Sequence, residues 1–176
     1  MEEGFLSNTS GGVITMSKAT ADIAFLTCLP GEQLALIGAH EIEEMHRYRG
    51  FALSFLPIKP CVSRLMVALG VECENRVASL RCTAESMYLA EDFMANSEIR
   101  ADHLAELRRQ HFFVVDDDMA WLTLVQVLAA AYNSWQFHEL ILNTCSTPEL
   151  RALLNQFVQQ KRNACGILED LQDTLR

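Results

Sequence analysis

Apolar side chains recur along most of this chain every three or four residues, the spacing that lines one face of an α-helix. Around the segment GAHEIEEMHRYRGFALSF, residues 38 to 55, the positions Leu34, Ile37, Glu41, Glu44, Tyr48, Phe51 and Phe55 share one stripe. That stripe is apolar at both ends and carries carboxylates in its middle. A second runs through Val62, Leu65, Leu69, Glu72, Arg76, Leu80, Thr83 and Met87, and a third through Leu124, Leu128, Ala131, Trp135, His138 and Leu142. The fourth, Leu150, Leu153, Phe157, Lys161, Ala164, Leu168, Leu171 and Leu175, has a lysine where an apolar residue is expected. The pattern predicts an all-α fold with four long helices.

Start and stop signals place the helices at about Glu32–Leu56, Cys61–Glu91, Met119–Asn143 and Pro148–Leu175. The first stops before Pro57, and Pro60 suits the first turn of the second, where a missing N–H costs nothing. Asp116, Asp117 and Asp118 cap and complement the start of the third helix rather than bind calcium, since the alternation of oxygen ligands is missing. Thr147, Pro148 and Glu149 announce the fourth, with a hydroxyl cap, a proline and an acid in the first turn. The connection from about Asp92 to Asp117 is too long for a simple turn. A crossover along the bundle, carrying a short helix from Ser97 to about Gln110, accounts for it. Before the bundle, residues 1–31 form an arm with a turn-rich start and a short helix from Ser17 that Pro30 and Gly31 would end.

A depth argument brings the odd polar positions together. Glu41 and Glu72 lie symmetrically about the first predicted turn, and Ala131 and Lys161 about the last. Each is about 15 residues, or roughly 22 Å of helix, from its turn. All four therefore meet near the middle of the bundle. A buried carboxylate there needs a cation or a set of donors, because desolvating it alone costs several kcal/mol.

Composition narrows the function classes. The formal net charge of -9 and the absence of a clustered basic face argue against nucleic-acid binding. The longest apolar run, Leu122 to Tyr132, is too short to span a membrane, and the acidic amino terminus does not resemble an export signal. The six cysteines, at 28, 61, 73, 82, 145 and 165, form no CxxC pair, so a zinc-finger-type site or a disulfide framework is not indicated. They read as small apolar groups in a reducing cytoplasm, with Cys73 and Cys165 able to approach the bundle centre. Glu43 and His46 have Glu-x-x-His spacing but lie off the apolar stripe, on a solvated face; His138 reads as a hydrogen-bonded core histidine.

The segment Glu41 to Tyr48, with its Arg47-Tyr48 pair followed by Phe51-Ala52, resembles the first helix of rubrerythrin-type members of the ferritin-like superfamily. The resemblance extends over about residues 32 to 175 and implies a ferritin-like four-helix bundle, residues 32–176, with one long crossover. It also implies a ligand set for two irons, of which little remains. Glu41 and Glu72 carry over, Asn75 replaces a histidine, the third-helix glutamate falls on Ala131, and Lys161 and Ala164 stand where Glu-x-x-His is expected. Alanine offers no donor and an ammonium repels a cation. The expectation is a bundle without di-iron chemistry and with no catalytic residue or cofactor. In place of the metals stands a charge network of Lys161 with Glu41, Glu72 and Arg76. Its role would be structural or in association with itself, as a dimer, or with a protein partner. The alternative is an altered iron site on Glu41, Glu72 and Asn75 or nearby His40, handling iron, oxygen or peroxide.

Overall fold

The computed structural model describes residues 29–91, 93 and 112–175. Four helices make up the described chain: α1 (Pro30–Phe55), α2 (Pro60–Ser86), α3 (Asp117–Thr144) and α4 (Pro148–Thr174). The expected N-terminal arm and crossover helix lie, but for their margins, outside the described residues. At one margin the reading needs correction. Pro30 is the first residue of α1, two residues before the predicted start at Glu32, and its fixed φ and missing N–H suit an N-terminal turn.

α1 and α2 form an antiparallel hairpin closed by residues 56–59, and α3 and α4 a second closed by residues 145–147. Ser63 Oγ donates to the Ala52 carbonyl at 2.7 Å across the first hairpin. The two hairpins are locked end to end by the strand of chain before α3. Val114 is fully buried, its N–H donates to Ser54 O at 3.0 Å, and Lys59 pairs with Asp117 at 2.6 Å. The start of α3 therefore lies at the same end as the start of α2. At the opposite end Phe93, which follows α2, packs against Gly38 of α1; a Cβ on Gly38 would stand 2.6 Å from the Phe93 ring. α2 therefore finishes, and α3 begins, at opposite ends of the bundle.

Each helix buries a line spaced by three or four residues. In α3 the buried positions include Ala120, Leu124, Val127, Ala131, Ser134, His138 and Ile141. In α2 they include Val62, Met66, Leu69, Cys73, Arg76 and Leu80. This is a seven-residue repeat, the spacing that keeps one seam of a helix facing its neighbours. It corrects the second stripe: beyond Leu69 the buried line steps four residues to Cys73, not three to Glu72, and Glu72 and Asn75 are exposed.

The helix ends follow local chemistry. Asp116 caps α3 by accepting from Met119 N–H at 2.8 Å, whereas Thr147 at the start of α4 makes no side-chain cap, and Pro148 leaves the first turn with one N–H fewer to satisfy. α2 ends at Ser86, earlier than its apolar spacing suggests. Leu89 N–H reaches back to Ala84 O at 2.8 Å and Tyr88 N–H to Glu85 O at 3.1 Å, the paired bonds of a Schellman stop. Its left-handed position is held by Tyr88, at φ 59°, where a Cβ is crowded by the backbone. Since the Tyr88 side chain is 96% exposed, Tyr88→Gly is expected to lose no packing and to stabilise the protein by about 1 kcal/mol. A urea melt would show it as a raised midpoint with unchanged slope.

Candidate functional site

Two apolar clusters fill the bundle. One gathers Tyr48, Phe55, Val62, Met66, Leu69, Leu124, Val127 and Leu168 toward the α1–α2 turn. The other gathers Leu34, Ile37, Leu80, Ile141, Leu150, Leu154 and Phe157 toward the α3–α4 turn. Between them lies a layer of buried polar groups: Glu41 and Glu44 from α1, Arg76 from α2, Ser134 and His138 from α3, and Lys161 from α4. Glu41 pairs across the first hairpin with Arg76, and Glu44 faces Cys73, both symmetric about Ile58 and Lys59 in the turn. The same hairpin symmetry about the α3–α4 turn sets His138 beside Phe157, with ring centroids 6.2 Å apart.

Glu41 is the hub. Its Oε2 accepts from Arg76 Nε at 2.8 Å, and its Oε1 lies 2.8 Å from both Lys161 Nζ and His138 Nε2. Lys161 Nζ also donates to Glu44 Oε2, so the ammonium bridges the two carboxylates. Glu44 Oε2 further accepts from Ser134 Oγ at 2.8 Å, and Ser134 Oγ is 3.0 Å from His40 Nε2. Arg76 extends the network to Gln160 Oε1 at 3.4 Å and to Cys73 Sγ at 3.2 Å. Glu41, His138 and Ser134 have no solvent exposure. Two carboxylates are thus met by two cations inside one dry layer.

Burial by itself would raise the pKa of Glu41. The charges of Lys161 and Arg76, with the His138 imidazole, outweigh it and hold the carboxyl well below its ordinary value of 4.5. Burial likewise opposes the charge on Arg76, but Glu41 beside it raises the guanidinium pKa. Burial, reinforced by Glu44 and Glu41, pushes the Cys73 thiol up, and burial with the neighbouring His138 pushes His40 well down.

Of the positions singled out in the sequence, Glu41, Arg76 and Lys161 are brought together. Glu72 and Asn75 are not: both are exposed on α2, one step around the helix from Cys73 and Arg76. Glu44 takes the place expected of Glu72. It was visible on the α1 stripe, one turn from Glu41, but stripe membership alone did not say which carboxylate Lys161 would meet. Ala131 is buried near this level, without a donor atom. Glu43 pairs with Arg47 at 3.0 Å on the half-buried flank of α1, away from the layer. Two irons do not fit this donor set. The carboxylates are already neutralised by Lys161 and Arg76, and the groups facing them from α3 and α4 supply one imidazole and an ammonium.

Comparison with family models, with curated proteins and with solved structures finds no match.

Proposed function

We propose that this chain is a ferritin-like bundle of the rubrerythrin type in which di-iron chemistry has been replaced by a charge-closed core, and that it acts as a structural or interaction protein. The observation that carries this reading is the Lys161 ammonium, which bridges Glu41 and Glu44 at mid-bundle, the level at which such bundles hold their metals. An ammonium there supplies the positive charge without redox chemistry. The finish of α2 and the start of α3 at opposite ends of the bundle support the same ancestry.

An interaction role is supported by apolar groups left on the surface at one end. Leu53 of α1 and Leu56 of the turn after it are more than half exposed, as are Phe113 and Val115, which flank the buried Val114 beside Ser54. Clustered exposed apolar groups mark association surfaces, and self-association as a dimer in the cytoplasm is the form proposed. No described helix is long and apolar enough to cross a membrane. The altered iron site on Glu41, Glu72 and Asn75 loses its support, since two of the three residues are exposed on α2.

Metal analysis of the full chain purified from iron-supplied cells tests the reading. Iron is expected far below one ion per chain, with no oxygen or peroxide consumption on adding ferrous ion. Near-stoichiometric iron would sink the proposal.

A further inference from the structure

The four residues before the α3 cap, Phe112, Phe113, Val114 and Val115, are all of types that favour extended backbone. Burial alternates as it does in such a chain: Val114 is fully buried, while Phe113 is 62% and Val115 69% exposed. Asp116, which follows, is extended too, at φ -147° and ψ 175°. In an extended chain the N–H and C=O of one residue share an edge, and those of its neighbours take the opposite edge. Val114 N–H turns toward α1, donating to Ser54 O at 3.0 Å. The N–H and C=O groups of Phe113 and Val115 therefore line the outer edge, where they make no backbone hydrogen bond among the described residues.

Two such residues, one apart on the same edge, are what an antiparallel strand pairs with, and this edge complements itself. Turned about a two-fold axis through Val114, Phe113 meets Val115 of the second copy and Val115 meets its Phe113. Each meeting exchanges two N–H to C=O bonds. It also sets an exposed aromatic side chain against an exposed β-branched one, a favourable cross-strand pair. Asp116 falls opposite Phe112 of the second copy, so the acids that start α3 do not face one another. With the exposed parts of Phe112, Leu53 and Leu56 at the same end, two copies bring together on the order of 1,000 Å² of apolar surface, the least that holds a specific complex.

We infer that Phe112–Val115 is a dimerisation strand, which pairs antiparallel with the same segment of a second copy about Val114. Such pairing rests on the self-association proposed above and adds a symmetry and a register to it. Because α1 holds the inner edge through Ser54, pairing consumes the open outer edge and stops at two chains.

Sedimentation equilibrium of the full chain, from about 1 to 100 µM, is expected to show a reversible dimer. Phe113→Lys puts a charge on the pairing face at an exposed position. It is expected to weaken the dimer by about tenfold or more and to leave the urea midpoint of dilute protein unchanged. Cross-linking reads the register. With Cys28, Cys61 and Cys82 replaced by Ser, Phe113→Cys mixed with Val115→Cys is expected to form an intermolecular disulfide under oxidised glutathione, and neither variant alone. Residues opposite one another in such a ladder lie about 5.5 Å apart between Cα atoms, whereas two copies of one position are offset beyond the ~7 Å that a disulfide spans. A monomer at every concentration overturns the inference, as does a dimer that Phe113→Lys leaves intact or cross-linking that ignores the pairing. Should Phe113→Lys fail to fold, the cross-linking decides. A dimer that persists in Phe113→Lys keeps self-association but moves it to another surface, and iron content tests the charge-closed core separately, so the two failures are distinguishable.

Discussion

Lys161→Ala is expected to destabilise the bundle by about 3–5 kcal/mol, the usual cost of removing one partner from a buried ion pair. The side chain is 3% exposed, and its loss leaves Glu44 with Ser134 Oγ as its remaining close donor and Glu41 with Arg76 as its one remaining close full charge. Water cannot easily replace the ammonium, because apolar clusters seal the layer on both sides. The loss should therefore exceed the methylene packing that alanine also removes. Urea denaturation at neutral pH, followed by helical circular dichroism, measures it. A stability equal to wild type would show that Lys161 does not compensate the acids. A quadruple replacement of Lys161, Arg76, Glu41 and Glu44 by Met, Met, Leu and Leu, which leaves neither buried ion pair half-removed, provides the contrast. Because desolvating ions offsets most of their attraction, the apolar layer is expected to match or exceed wild-type stability.

Glu41→Ala is expected to cost a similar amount, about 3–5 kcal/mol, and to change the response to acid as well. Glu41 is met by Lys161 and Arg76 together, so its removal leaves the buried guanidinium without its carboxylate and the ammonium with Glu44 alone. The pH dependence follows from the sign of the carboxyl shift. Its folded pKa lies well below its ordinary value of 4.5, so the native state binds the proton more weakly than the unfolded chain. The stabilisation is fully present above the ordinary carboxyl pKa and is lost as pH falls through the depressed folded value. Melts from neutral pH down to about pH 3 should therefore show wild type losing stability toward acid, and the Glu41→Ala profile running flatter over that range. Parallel profiles for the two proteins would show that Glu41 does not carry the acid response.

The depth argument was sound in kind and incomplete in detail. Symmetry about the two short turns is enforced by antiparallel pairing, because residues equidistant from a turn climb two helices at the same rise. That is why Glu41 could be placed at mid-bundle from sequence numbers alone, although a turn centre taken two residues early set Glu72 opposite it, one turn short of its actual partner Arg76. The choice between Glu72 and Cys73 could not be made in the same way. A step of three and a step of four both stay near one face of a helix, and a search for a second carboxylate favours the charged neighbour. Cys73 carries no charge to mark it, and Glu72 one position earlier points to solvent at no cost.

His138 illustrates the same limit on α3. Its place on an apolar stripe marked it as a core histidine, but not which of its nitrogens would meet a backbone carbonyl and which a carboxylate. Ser134 was not distinguished at all. A serine in a helix is compatible with many settings, and its bridging of Glu44 and His40 depends on helices nearly 100 residues apart in sequence.

The amino-acid sequence by itself determined the helical class, the two hairpins, the need for a chain-length link between them and the level at which charges would gather. Those features follow from periodicity, from proline and aspartate at helix starts, and from the fixed rise of a helix. Tertiary structure alone decided which neighbours turn inward there: Glu44 rather than a carboxylate of α2, Cys73 rather than Glu72, and the imidazole of His138 set against Glu41. Rotation of one helix by a single residue exchanges a buried position for an exposed one, and that rotation is fixed by how all four apolar seams pack at once.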